Sequence, residues 1–160
     1  MADWYGLQVF YNRIPAVQEM LQRAREPQEE FELYSQHMIP SLLFVRCGAS
    51  RIERIRRDYG QYLKVYTSPE GKPAPIREKE MQMFILVTSA ADNDLLFLGD
   101  DLPEYHIGER VRVKEGPFKG AEGCVRRIKK NRRVVVSIDG IAAVALSFIP
   151  LPLLEHIETD

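Results

Sequence analysis

The sequence predicts an α+β protein in two parts: an N-terminal sandwich of helices on a mostly antiparallel sheet, then a small β-barrel. Three observations carry this. Over residues 1–89 the apolar spacing changes in the order strand, helix, strand, strand, helix, strand, helix. From Tyr105 onward it gives only short strands separated by turns, the pattern of a small barrel with a C-terminal tail over 105–160. Between them, residues 90–104 hold Asp92, Asp94, Asp100, Asp101 and Glu104 with no basic residue, together with Asn93, Gly99 and Pro103, and read as a linker. Leu95, Leu96, Phe97 and Leu98 sit oddly there, because four apolar residues rarely stay solvated.

Each element has its own signal. Trp4 to Phe10 is aromatic and β-branched and reads as the first strand. Val17, Met20, Leu21 and Ala24 lie at helical spacing within Ala16–Arg25; Asn12 is the candidate cap, Pro15 suits a first turn, and Pro27 stops the helix. Phe31–His37 is a second strand. Ile39–Arg46 is a third and, being largely apolar, a central one. Ser50 with Glu53 has the spacing of a capping box for a helix whose apolar stripe is Ile52, Ile55 and Tyr59, with Arg51, Arg54, Arg56 and Arg57 mostly outside. Leu63–Thr67 is another strand, and a helix over Arg77–Thr88 turns Met81, Phe84 and Ile85 inward. In the second part the strands are Arg110–Lys114, Cys124–Lys129, Arg133–Ile138 and Ile141–Phe148, with turns at Lys130-Asn131-Arg132 and Asp139-Gly140.

Composition bounds the chemistry. The chain has 160 residues and a formal net charge of −1. That balance hides an uneven distribution: after Ala90 every Lys and Arg falls between Arg110 and Arg133. Cys47 and Cys124 lack CxxC spacing and are expected as buried thiols. The first residues do not read as a signal peptide, and no apolar run reaches the ~18 residues of a membrane span, so a cytoplasmic protein is expected. His37, His106 and His156 are scattered, no metal spacing exists, and no Gly-Lys-Ser/Thr loop occurs; the expectation is a non-enzyme without cofactor or metal.

Val111 to Val125 is the most specific stretch. It is an alternating strand, a Gly116-Pro117-Phe118-Lys119-Gly120 turn and a second strand entered through Gly123. Gly116, Gly120 and Gly123 are candidates for positive φ, and a glycine within a strand also marks a bulge or bend. This stretch resembles the KOW motif of the NusG family of transcription elongation factors. Trp4-Tyr5-Gly6-Leu7-Gln8 resembles the first strand of that family's N-terminal domain. Ile39-Pro40-Ser41-Leu42-Leu43-Phe44-Val45 resembles its central strand, commonly Phe-Pro-Gly-Tyr-hydrophobic-Phe-Val. Pro73-Ala74-Pro75-Ile76 resembles the link into its last helix, and Gly108 to Phe148 its KOW domain. The resemblance covers nearly the whole chain. It implies a NusG-like domain joined to an SH3-like KOW barrel, and a monomeric factor that binds the β′ clamp helices of RNA polymerase and suppresses pausing and termination.

Departures narrow the subgroup. Ser41-Leu42 replaces the usual Gly-Tyr, and Asp139 and Ile141 stand where housekeeping NusG presents a Phe and an Arg to ribosomal protein S10 or Rho. Arg132 to Gly140 is similar to the UpxY-type antiterminators of Bacteroides capsular polysaccharide loci. A housekeeping NusG and a KOW-type RNA-binding protein of the ribosome are the alternatives. By this resemblance Tyr5, Phe10, Tyr11, Ile39 and Leu42 are the candidate polymerase contacts, whereas Trp4, Leu7, Val9, Leu43 and Val45 are read as core. The cluster Arg126, Arg127, Lys129, Lys130, Arg132 and Arg133 is either a solvated hairpin or a phosphate contact; Arg126, Lys129, Lys130, Arg132 and Arg133 are the candidates for nascent RNA or non-template DNA.

Overall fold

The computed structural model describes residues 1–37, 39–90, 95–99, 108–128, 131–147 and 149–158. The chain divides into two compact units, Met1–Glu78 and Lys79–Asp160. Among the described residues every strand pairing is antiparallel, in keeping with the expected α+β class.

The first unit contains β1 (Ala2–Val9), α1 (Ile14–Arg23), β2 (Glu32–Tyr34), β3 (Leu42–Gly48), α2 (Ala49–Asp58) and β4 (Leu63–Val65). Its sheet runs β2-β3-β1-β4, so β3 is central as its apolar run implies. Tyr5 faces Val45 and Leu7 faces Leu43 across the ladder. Alternation then puts Tyr5, Leu7, Val9, Leu43, Val45 and Cys47 on one face. Val17 and Leu21 of α1 and Ile52 and Ile55 of α2 join them, with Leu63 and Val65, in one buried cluster. Burial of each such aliphatic side chain stabilises by about 1.5–3 kcal/mol, so this cluster holds the two helices on the sheet. Trp4, Leu42 and Phe44 point from the other face and are buried as well.

Both helix starts in this unit differ from expectation. Asn12 does not cap α1; Arg13 occupies the cap position without a side-chain cap bond, and Asn12 instead adopts φ 54° and accepts a hydrogen bond from the Ser41 hydroxyl at 3.3 Å. The Ser50–Glu53 box does not form either. β3 ends at Gly48 and α2 begins at Ala49, so the cap falls on Gly48 and Ser50 lies inside the helix. A strand that runs directly into a helix leaves no loop residue for a Ser cap.

The division between the two units falls at the start of α3 (Glu78–Thr88). Lys79 pairs with Glu122 at 2.9 Å, and the Glu122 N–H donates to the Met83 sulfur at 3.4 Å. The remaining elements are β5 (Leu96–Gly99), β6 (Glu109–Val113), β7 (Glu122–Ile128), β8 (Asn131–Ile138), β9 (Ala142–Ala145) and β10 (Leu154–His156), in the sheet order β10-β6-β7-β8-β9-β5. Two of these strands were not expected. β5 lies inside the stretch read as a linker and pairs with β9; Leu96 and Leu98 pack on Val135, Ala143 and Ala145, where small side chains leave room for leucines. The rest of that stretch, 91–94 and 100–104, lies outside the described residues. β10 pairs with Val111–Val113 and is too short to show a period.

The KOW-like turn is built as its residues dictate. Gly116 and Gly120 have φ of 97° and 90°, and the Gly120 N–H returns to the Val113 carbonyl at 2.8 Å over a buried Phe118. Gly123 does not have positive φ. A Cβ there would stand 2.4 Å from the Val135 carbonyl oxygen, so it is a site of close strand approach. Asn131 and Arg132, expected in a turn, are strand residues paired with Ile128 and Arg127.

Candidate functional site

The first candidate surface is the turn that follows β1. The Val9 N–H donates to the Ser41 carbonyl at 2.8 Å and the Phe10 N–H to the Tyr62 carbonyl at 2.9 Å, which fixes where β1 ends. The chain then takes two successive left-handed residues, Tyr11 at φ 58° and Asn12 at φ 54°, against Ser41 at φ 64°. Asn tolerates this region but a tyrosine is strained there, by roughly 1–2 kcal/mol. Ser41 takes this conformation where the resembling family has glycine. The result is a held aromatic tip: Tyr11 is 84% exposed, Phe10 meets it edge-on at 6.4 Å, and the Arg13 guanidinium lies 5.9 Å over its ring. Strain retained to display an aromatic is a reason to look for a partner.

The other expected polymerase contacts are placed differently. Tyr5 belongs to the buried cluster under α1 and α2, not to an open pocket, and Ile39 and Leu42 are buried too. Of the five candidates, only Phe10, half-buried, and Tyr11 reach the surface. Trp4, expected as core, and Tyr5, expected in a pocket, lie on opposite faces of the sheet and are equally buried.

Beside α2 lies a second feature that sequence reasoning missed. Arg51, assigned to the outside, is buried, and its Nε and Nη2 both donate to the Glu29 carboxylate; Glu26 stands 3.9 Å from Arg51 and 3.5 Å from Arg54. The clue was available: Arg51 and Ile55 are one turn apart and share a face. The hydrogen bond and charge of Arg51 hold Glu29 below the usual carboxylate range. Cys47 nearby is pushed up to about 12 by burial, which makes it an unreactive thiol.

In the second unit Glu122 is the electrostatic centre of one edge, with Lys79 at 2.9 Å, Arg112 at 3.3 Å and Arg110 at 3.8 Å; Arg112 also binds Glu155 at 2.9 Å. Burial pushes Glu122 up, but the hydrogen bond and charge of Lys79, then those of Arg112, outweigh it and leave its pKa below the usual 4.5. Depressed carboxylates contribute stability above their ordinary pKa and lose it as pH falls through the folded value. Thermal melts from pH 7 to pH 3 are therefore expected to be level above about 4.5 and to fall below it. The Glu122→Gln variant should show a shallower acid limb; equal limbs would deny Glu122 this part.

The basic hairpin is arranged in a way alternation only partly foretold. Arg126 faces Arg133 and Arg127 faces Arg132 directly across β7 and β8. Like charges in register oppose strand pairing. Arg127 and Arg132 share the face of the Val125–Val134 pair and are exposed, whereas Arg126 and Arg133 lie on the other face and are half-buried. The Arg133 guanidinium donates to the Leu146 carbonyl at 3.2 Å. Lys129 and Lys130 lie outside the described residues.

Comparison with known proteins gives the family context. No family model matches the chain. Over 73 residues it is 37% identical to the transcription termination/antitermination protein NusG of Borreliella burgdorferi, a match taking in 43% of this chain and 38% of that protein's length. A solved structure described as domain interaction in Thermotoga maritima NusG is similar in fold, with TM-score 0.54 and 17% identity over 99% of this chain and 98% of that one. A chain of the MjSpt4:Spt5 complex aligns over 98% of this chain and 99% of its own at 14% identity, with a TM-score of only 0.41. The sequence match is homology to NusG over the matched segment, and the NusG fold extends over nearly the whole chain.

Proposed function

We propose that this chain is a NusG-like transcription elongation factor that binds RNA polymerase and suppresses pausing and termination, serving a specific operon such as one for capsular polysaccharide. The 37% identity to a transcription termination/antitermination protein carries the transcription-factor part of this reading, and the similar fold supports it; the specific operon rests on the resemblance of Arg132 to Gly140 to the specialised paralogues. In it, the first unit bridges the β′ clamp helices and favours the closed clamp. A factor shifts that equilibrium only by its differential affinity for the two states, so no catalytic residue is required. The factor acts as a monomer in the cytoplasm; among the described residues no helix is long and apolar enough to cross a membrane.

The polymerase contact is assigned to the Phe10–Tyr11 tip, since it is the exposed part of the expected pocket. Tyr11→Gly tests this without damage to the fold, because glycine relieves the φ of 58° while removing the ring. The variant is expected to melt no lower than the parent and to bind core polymerase about tenfold or more weakly, the effect of losing an interface aromatic. Unchanged affinity would move the contact elsewhere.

The specialised reading is favoured over the housekeeping one by the β8–β9 turn. Asp139 is exposed at a turn closed by Gly140 at φ 75°, and Ile141 is buried, so neither side chain replaces a docking Phe and Arg. Titration with ribosomal protein S10 or Rho, followed by NMR, is expected to leave Ile138 to Ala143 unshifted. Saturable shifts there at low micromolar concentration would restore the housekeeping alternative.

A further inference from the structure

The second unit carries an apolar groove of about 420 Å³ lined by Val125, Val134, Ile149, Leu151 and Leu154 with Pro150 and Pro152, and edged by Arg132 and Arg133. Its size falls within the range of ligand sites. Leu151 is 71% exposed beside it, a large aliphatic side chain left in water. A second cleft, of about 310 Å³, shares Val125 and Arg132 with the first and is lined by Arg126, Arg127 and Glu109. Apolar and cationic surfaces therefore meet along one strand pair: Val125 faces Val134, and on the same face two residues on, Arg127 faces Arg132.

We propose that this groove docks an acidic peptide segment, an apolar side chain entering between the Val125–Val134 pair and Leu151 while flanking carboxylates bind Arg127 and Arg132. Two observations select this occupant. The directly opposed arginines repel one another in the free protein, and an anion between them relieves that cost. Among the described residues the groove lining is aliphatic and proline, with no aromatic ring on which a nucleic-acid base could stack, and such an apolar floor suits a side chain better than a base. The groove residues all belong to the second unit and lie away from the Asp139–Ile141 turn in sequence.

Fluorescence anisotropy on the full chain tests it, with a labelled peptide of three leucines flanked on each side by two aspartates. A lysine-flanked version and a dodecameric oligouridine are the comparison probes. The aspartate peptide is expected to bind saturably, and the lysine version about tenfold or more weakly. Leu151→Asp and Arg132→Glu, both at exposed positions and checked for unchanged melting, should each weaken the aspartate peptide about tenfold. No saturable binding up to millimolar peptide overturns the proposal, as does binding indifferent to Leu151→Asp. Oligouridine that binds more tightly than the peptide, depends on Arg132 and ignores Leu151→Asp assigns the surface to nucleic acid and overturns it as well.

Discussion

Replacing Gly123 by alanine is expected to destabilise the second unit by about 3 kcal/mol or more, at the upper end of what overpacking costs. The added methyl would lie 2.4 Å from the Val135 carbonyl oxygen, 3.0 Å from its carbon and 3.1 Å from a Val134 methyl. The first two are backbone atoms of the paired strand β8, whose positions are fixed by the ladder from Cys124–Val135 to Ile128–Asn131. A flexible side chain could swing aside; a strand cannot without loss of its hydrogen bonds. In a unit of this size the cost corresponds to a drop in melting temperature on the order of 10–20 °C. Gly140→Ala is the internal comparison. Its φ of 75° is unfavourable for alanine, but nothing lies within 4 Å of the new Cβ, so only the conformational cost of about 1–2 kcal/mol applies. A Gly123→Ala chain that melts within 2 °C of the parent, or above Gly140→Ala, would show that β7 and β8 do not approach so closely.

That glycine marks the boundary between what the residues disclosed and what they did not. The Gly116–Gly120 turn was legible because its conformation is local: proline presets one φ and glycine permits the others. Gly123 suggests the same freedom, yet its constraint comes from β8, and no local rule contains the distance to a neighbouring strand. The antiparallel sheets, α1, α2 and α3 were legible from their periods. The faces were harder. Period two separates Trp4 from Tyr5 but does not say that both faces are covered, so the sequence alone leaves Tyr5 available to a partner although it is enclosed by the first unit's own helices. The Leu95–Leu98 run is out of place in a linker by its composition; the strand it pairs with, β9, is distant in sequence. The arginine cluster was legible as charge. Its two like-charged pairs were not, because register is set by the hairpin as a whole.

Arg51 is the clearest case of a residue whose type misled, and its substitution is the second large expected effect. Arg51→Met keeps the length and apolar stem that pack beside Ile52 and Ile55 but removes both donors to Glu29. Breaking one side of a buried pair leaves the other charge uncompensated, a loss of about 3–5 kcal/mol when both groups are fully enclosed. The Arg51 side chain is 9% exposed and that of Glu29 16%, so water offsets part of this and about 2–3 kcal/mol is expected. The double variant Arg51→Met with Glu29→Gln removes the stranded charge and should melt above Arg51→Met alone. The acid limb supplies an independent check. Glu29 titrates below its ordinary pKa because Arg51 favours its ionised form, so the pair contributes fully above about pH 4.5 and less as pH falls through the folded value. The stability gap between parent and Arg51→Met should therefore be widest near neutrality and narrow in acid. A gap of constant size from pH 7 to pH 3 would mean that the loss does not follow the ionisation of Glu29, and that the ion pair holding the Glu26–Glu30 loop against α2 contributes little.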